Sequence, residues 1–364
     1  MLSPEVKRHI YRIIPFGLFW LIFGVAYSLL EWGHLRDPGH DPSTGNSYNF
    51  AGTVFIRAVI SFLSGLLIGT VEILYLSKLF HQKSFAAKIV YKTLIYLALI
   101  VSVLLTGAAI SFSGDLETGV FTERVWDNVW AFLLSYASIG FEVYAAVVIG
   151  VSLFYTEVSE NLGHGVLVNF FTGKYHMPIE EERIYMFLDM KSSTTIAENL
   201  GHVRYFEMLR EYYTDLSGPI IKYSGEIYQY VGDEVIVSWT LKDGLKNNNC
   251  IYCFFAMKAA LEKQARKYNE HFGVLPGFKA GFHMGKVTTG EIGVIKKEIM
   301  FTGDVLNTTA RIQGLCNTYN VDILISDDLK KKLVLDGQWQ IKALGENELR
   351  GRDEKIELFT ILRL

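Results

Sequence analysis

The chain carries no surplus of positive charge: 35 lysines and arginines stand against 38 aspartates and glutamates, for a net charge of −3. A dedicated nucleic-acid binder needs a basic face to neutralise phosphates, so the balance argues against that partner. Cysteine is scarce, with three residues in 364. Cys250-Ile-Tyr-Cys253 has the spacing of a redox or zinc half-site. Yet Cys250, Cys253, Phe254, Met257 and Leu261 recur along one apolar helical stripe, and Cys316 is the one remaining thiol. The cysteines are therefore read as reduced core residues. A small-residue cleavage site is also missing after the first apolar run, which excludes an ordinary signal peptide. Charge itself is nearly absent from the long runs before Tyr155 and crowds after it, although half of all residues are hydrophobic. That asymmetry divides the chain into a membrane half and a soluble half.

Crossing a bilayer takes about 20 largely apolar residues per helix. Four stretches qualify: Ile13–Leu30, Ala58–Ser77, Thr93–Gly114 and Val129–Tyr155. Lys7, Arg8 and Arg12 precede the first, and Lys78, Lys83, Lys88 and Lys92 fill the second connection with no acid among them. Basic connections stay inside, so the sequence predicts a multi-pass inner-membrane protein with both termini cytoplasmic. Two carboxylates, Glu72 and Glu142, fall within the predicted helices. A charge at membrane depth needs a partner or a cavity, which makes both candidate sensor residues. The bland alternative is a protonated glutamate hydrogen-bonded between helices or close to the interface. His34, His40, Asp37 and Asp41 in the first external connection read as an ordinary loop rather than a metal site.

Residues 157–181 form a connector punctuated by Gly163, Gly165, Gly173 and Pro178. It is either a stiff transducer or a plain tether. Arg183–Asp189 then reads as a buried strand ending in an acid; Met190–Thr195 follows, and then a helical pattern to about Tyr223. Ser192 and Ser193 sit where a helix start leaves backbone N–H groups free for phosphate oxygens. Glu226–Tyr230 and Glu234–Trp239 read as two strands around a Val-Gly-Asp turn that projects Asp233. Further elements are a helix over Asn249–Phe272, a strand at Phe278–Met284, a strand pair after Gly285 and a helix opening within Phe301–Arg311. Strands at Leu324–Ser326, Trp339–Leu344 and Lys355–Leu362 complete the sheet. Strands alternating with helices, with hairpins among them, predict an α/β sandwich of ferredoxin-like type.

Phe-Leu-Asp-Met-Lys-Ser-Ser at 187–193, Tyr-Val-Gly-Asp-Glu at 230–234 and Thr-Gly-Asp-Val-Leu-Asn-Thr-Thr-Ala-Arg at 302–311 together resemble the class III adenylate/guanylate cyclase catalytic domain. The resemblance covers roughly residues 182 to 364, in order and spacing. The preceding helices resemble, by architecture alone, the anchors of membrane-bound bacterial members. The implied layout is a transmembrane four-helix bundle at 1–156, a connector at 157–181 and a nucleotidyl cyclase domain at 182–364.

The resemblance implies that a nucleoside triphosphate is cyclised by two-metal catalysis. Asp189 and Asp233 match the metal-binding pair, and their hard oxygens suit Mg²⁺ or Mn²⁺. Asn307 and Arg311, four apart on one helix, match the residues that orient the ribose and stabilise transition-state charge. Arg350, with Arg352 beside it, sits near where the family carries a basic triphosphate contact, and the same Leu-Arg-Gly-Arg stretch reads equally as a solvated turn. The family pattern also implies a head-to-tail homodimer with composite sites. At the base-reading positions adenylate cyclases of the family carry Lys and Asp or Thr, and guanylate cyclases carry Glu and a small residue. This chain has Gln229 and Met300. A glutamine amide serves adenine one way round and guanine the other. ATP is the favoured substrate, with GTP and then a pyrimidine triphosphate behind it. A catalytically silent nucleotide receptor and a transporter with a regulatory domain are the alternatives from other classes.

Overall fold

A computed structural model describes residues 3–35, 49–80, 83–335, 337–349 and 355–364. Arg350, Arg352, Asp37, His40 and Asp41 lie outside the described residues. The chain divides into two compact units, Val6–Val168 and, with the first five residues, Asn169–Leu364.

The first unit is helical: α1 (Pro4–Leu35), α2 (Phe50–Val71), α3 (Phe85–Asp115), α4 (Glu123–Leu133) and α5 (Tyr136–Leu162). Four helical stretches, Pro4–Gly33, Phe50–Leu76, Phe85–Asp115 and Ser138–Leu162, are long and apolar enough to cross a membrane. The fourth corrects the expected Val129–Tyr155 span. Ser135 adopts an extended backbone and its side chain accepts the Ser138 N–H, so the chain breaks there and a new helix starts. The span gains at its other end, running to Leu162, so the first part of the expected connector is transmembrane-type helix. α6 (His164–Thr172) follows directly.

α2 ends in a π-type turn, Glu72–Leu76, whose first residue enters a buried cluster. Glu72 is fully buried. Its Oε1 lies 2.6 Å from Lys92 Nζ on α3, and its Oε2 accepts a 3.1 Å hydrogen bond from the Tyr96 hydroxyl. Lys92 also reaches Glu157 Oε1 on α5 at 3.1 Å, and Lys88 reaches Glu157 Oε2 at 3.0 Å. Glu72 thus has the partner that a charge at membrane depth requires, in Lys92, a residue the sequence offers only as one of the connection lysines. Glu142 stands half-exposed on α5 and takes no part in the cluster.

The second unit is a mixed sheet of strands β1 (Ile179–Met190), β2 (Glu226–Val231), β3 (Glu234–Thr240), β4 (Phe278–Ile292), β5 (Glu298–Thr302), β6 (Ile323–Ser326), β7 (Trp339–Asn347) and β8 (Ile356–Arg363). The order is β2-β3-β1-β4-β6-β8-β7, with β5 on β4; among the described residues only β4 and β6 run parallel. Its helices include α7 (Ser193–Leu200), α8 (His202–Lys222), α9 (Asn249–Lys263), α10 (Ala265–Phe272), α11 (Asp304–Gly314) and α12 (Asp327–Lys332). Two expected helices are each broken in two. Gly201, at φ 74°, separates α7 from α8, and Gln264 separates α9 from α10. β4 runs through Gly285 to Ile292, where the sequence predicts the start of a second strand.

β1 lies at the centre and is covered on both faces, which explains its unbroken apolar run. Side chains alternate along it. Ile184, Met186, Leu188 and Met190 pack with Met208, Tyr212, Phe254 and Met257 of α8 and α9. Tyr185 and Phe187 pack with Ile236, Val287 and Val305, on the face that carries α11. The three cysteines are buried and free, and Cys250 and Cys253 belong to the first of these clusters. Burial pushes the Cys250 thiol up to about 12, so it is inert at neutral pH.

Candidate active site

Alternation along β1 decides where its terminal acid goes. Asp189 has the parity of Tyr185 and Phe187 and so faces α11 rather than the α8–α9 core. There its Oδ2 meets Gln313 Nε2 at 3.2 Å and Lys279 Nζ at 3.2 Å. Lys279 is the cross-strand partner of Asp189 on β4. Two positions along, Gly281 lets α11 approach: a Cβ there would lie 2.3 Å from the Gln313 backbone nitrogen. The missing side chain is what allows Gln313 to touch Asp189.

The second acid comes from the β2–β3 turn. Gly232, at φ 64°, supplies the left-handed residue that the turn requires. The Tyr213 hydroxyl donates to the Gly232 carbonyl, and the Tyr213 and Tyr230 rings lie 4.5 Å apart, so α8 clamps the turn. Asp233 is thereby held close enough to Asp189 for its charge to act on the Asp189 carboxyl. Burial raises the Asp189 carboxyl above the ordinary carboxylate range; the Lys279 hydrogen bond opposes this and the charge of Asp233 reinforces it. The neighbouring Glu234 is pushed up to about 7 by burial and by both aspartates.

The pair fits divalent cations on one observation. Asp233 Oδ2 is buried and has no hydrogen-bond partner, an arrangement that costs free energy unless a ligand supplies the missing contact. Among the described residues no cluster of three or more His, Cys, Asp or Glu side chains could hold a metal. Any further ligands would come from substrate phosphates and backbone carbonyls. Ser192, in the left-handed conformation at φ 55°, turns the chain from β1 into α7, whose first residue is Ser193. The first N–H groups of α7 lack helical partners and open beside the end of β1 that carries Asp189.

Asn307 and Arg311 lie on α11, with Asn307 exposed and Arg311 half-buried. Arg311 Nη1 is buried without a hydrogen-bond partner. Among the described residues no hydrogen bond or ion pair joins either residue to Asp189 or Asp233. Gln229 is exposed on β2, at a bulge where the register with β3 shifts between Ile227 and Gln229. Met300 is exposed on β5. Their neighbours Tyr228 and Phe301 meet edge to face at 4.8 Å, which brings these stretches of β2 and β5 together. Sequence reasoning does not single out Gln313 and Lys279. Their one signal is a polar side chain on an element next to Asp189, and that adjacency follows from the order of the strands in the sheet.

Residues 177–363 match the family model of the adenylate and guanylate cyclase catalytic domain, and the chain belongs to that family. It is similar to adenylate cyclase 2 of Rhizobium meliloti (strain 1021), with 36% identity over 219 residues, 60% of each chain. It is also 25% identical over 183 residues to an adenylate cyclase of Anabaena cylindrica, covering 48% of this chain and 36% of that one. The chain thus spans 60% or less of the length of these curated relatives. Among solved structures, a bacterial light-regulated adenylyl cyclase shares the fold, with a TM-score of 0.53 and 20% identity over 63% of this chain and 67% of that one.

Proposed function

We propose that the protein is a membrane-anchored adenylate cyclase that converts ATP to 3′,5′-cyclic AMP and pyrophosphate in a head-to-tail homodimer. The observation that carries this reading is the facing pair Asp189 and Asp233, one oxygen of which is buried without a partner. Two divalent cations, when bound, supply neutralisation of phosphate charge and a more nucleophilic ribose hydroxyl. Asp189 and Asp233 are the residues that would hold them. The 3′-oxygen bonds to the α-phosphorus, the bond from that phosphorus to the bridging oxygen breaks, and pyrophosphate leaves; the hydroxyl proton passes to solvent. The helix start at Ser192 and Ser193 offers N–H donors to the phosphates. Asn307 orients the ribose, and the free guanidinium nitrogen of Arg311 stabilises charge at the α-phosphate. Since neither reaches the aspartates of its own chain, a second copy completes the site, each copy supplying what the other lacks.

Gln229 and Met300 face the base. The amide can present donor and acceptor to the adenine edge, and the names of the curated relatives favour ATP over GTP. The four long apolar helices anchor the enzyme, and a catalytic unit that consumes nucleoside triphosphate lies on the cytoplasmic side. The test is to offer the purified protein ATP, GTP, CTP and UTP separately, with Mg²⁺ and with Mn²⁺, and to identify cyclic products. Cyclic AMP is the expected product. No product from any of the four would end the enzymatic reading, and a cyclic product from another base alone would end the assignment of ATP.

A further inference from the structure

The cluster at Glu72, Lys92 and Glu157 is continuous with a cavity that catalysis does not use. About 480 Å³ in volume, this cavity is lined by Lys83, Phe85, Lys88, Glu157, Val158 and Asn161, with Leu162 at its edge. That size lies within the range of small-molecule sites. Its lining has two characters. Lys83, Lys88, the Asn161 amide and Glu157, whose carboxylate is paired with Lys88, are polar, while Phe85, Val158 and Leu162 are apolar, with the Phe85 ring packed edge-on against Phe154 at 5.7 Å. Two lysines against one lining carboxylate leave the polar wall net cationic, and a site with such a wall and an apolar one selects an amphiphile with an anionic head.

Its position says which one. The lining comes from the first turn of α3, the segment just before it and the last turns of α5, the ends of two helices long enough to span a bilayer. The chain passes from that end of α5 through α6 into the catalytic unit. On the reading of the protein as a membrane-anchored cyclase, the cavity opens at the inner leaflet, where phosphate-bearing anionic lipids are concentrated. We propose that the cavity binds the phosphate headgroup of an anionic phospholipid through Lys83 and Lys88.

Binding has a built-in consequence. The Lys88 ammonium is already engaged, 3.0 Å from Glu157 Oε2, and a bound phosphate competes with Glu157 for it. Glu157 keeps Lys92, and Asn161 keeps its 2.7 Å bond to the Glu157 carbonyl, so α5 remains folded while one of its ties to α3 is released. The released tie lies in the last two turns before the chain leaves for the catalytic unit. Headgroup occupancy is in this way linked to the helix that carries the connector.

The experiment uses the full-length protein in nanodiscs of phosphatidylcholine, alone or mixed with phosphatidylglycerol. Native mass spectrometry reads retained lipid, and cyclic product formation is measured in parallel. Wild type is expected to retain phosphatidylglycerol about fivefold or more over phosphatidylcholine, and Lys83→Met/Lys88→Met to lose that preference. Lys88→Arg should retain it, as should Lys7→Met, a basic residue outside the cavity. The rate of cyclisation should shift about twofold or more with phosphatidylglycerol in wild type, whereas the double variant, whose Lys88–Glu157 tie is already gone, should show the shifted rate in phosphatidylcholine and no further response to phosphatidylglycerol. Equal retention by wild type and the double variant overturns the site. Competition by inorganic phosphate or glycerol 3-phosphate as strong as that of the lipid overturns the lipid assignment in favour of a free phosphate. Failure of the protein to enter nanodiscs would instead overturn the membrane reading, and absence of cyclic product the enzymatic one, with lipid retention still measurable.

Discussion

Each unit of this molecule holds a pair of carboxylates, and the two pairs are treated in opposite ways. In the helical unit all four oxygens of Glu72 and Glu157 have a partner: Lys92 for one oxygen of each, Tyr96 for the second of Glu72 and Lys88 for the second of Glu157. In the catalytic unit Asp233 Oδ2 is buried and has none, and on α11 Arg311 Nη1 has none either. A buried charge saturated by its own chain fixes packing; a buried charge left open is stabilised only when something else arrives. On the proposed reading the first pair belongs to the frame and the second to the site.

The largest effect should come from the open pair. Asp233→Asn is expected to lower kcat on the order of 10³-fold, because the charge that would hold a cation is gone. Its melting temperature should equal or exceed that of wild type, since Asp189 loses a like-charged neighbour. Activity assay and calorimetry on the same sample separate the two. A variant that both melts early and loses activity would place Asp233 in the frame instead.

The saturated pair should answer in stability. Lys92→Met leaves Glu72, which is 0% exposed, without a counter-charge and Glu157 with Lys88 alone, and should cost about 3–5 kcal/mol in thermal or denaturant unfolding. Glu72→Gln/Lys92→Met should cost less than Lys92→Met alone, because it removes the charge that Lys92→Met leaves uncompensated. Additive losses would contradict a coupled cluster.

Gly281→Ala sharpens the comparison from the catalytic side. The added Cβ meets the α11 backbone at Gln313, so about 1–3 kcal/mol of stability should be lost together with part of the activity. A fully active, fully stable variant would show that α11 does not need this close approach.

The smallest effect concerns a surface charge. Burial raises the Asp322 carboxyl, but hydrogen bonds from Lys191 and Lys258 outweigh it and hold the group below its ordinary value. The contribution is therefore present above the ordinary carboxylate range and is lost as pH falls through the lowered value. Asp322→Asn should cost about 0.5 kcal/mol at neutral pH, and its acid unfolding curve should be flatter.

The legibility of these features follows from how local each one is. Asp189, Asp233, Asn307 and Arg311 sit in short motifs whose turns and helix starts are local in sequence, so they stand out from the sequence alone. The sheet is legible because Ile184–Leu188 and Ile323–Ile325 are unbroken apolar runs. The contact of Gln313 with Asp189 spans 124 residues and depends on the parity of β1 and on Gly281, which no window of sequence contains. The Lys92–Glu72 pair crosses from α2 to α3, and in sequence Lys92 stands only as one of the lysines that orient the helices. The break at Ser135 is hidden because an apolar run continues past it, while the capping bond that ends one helix and starts the next leaves no gap in hydropathy.

Activity on this reading requires the open groups of one copy to be completed by the other. Mixing Asp233→Asn chains with Asn307→Ala chains, each inactive alone, tests this most directly. Half of randomly assorted dimers pair the two variants and contain one intact site of two, so activity should return to about one quarter of the wild-type value. A mixture as inactive as its components, under conditions where the two chains are shown to co-assemble, would contradict it.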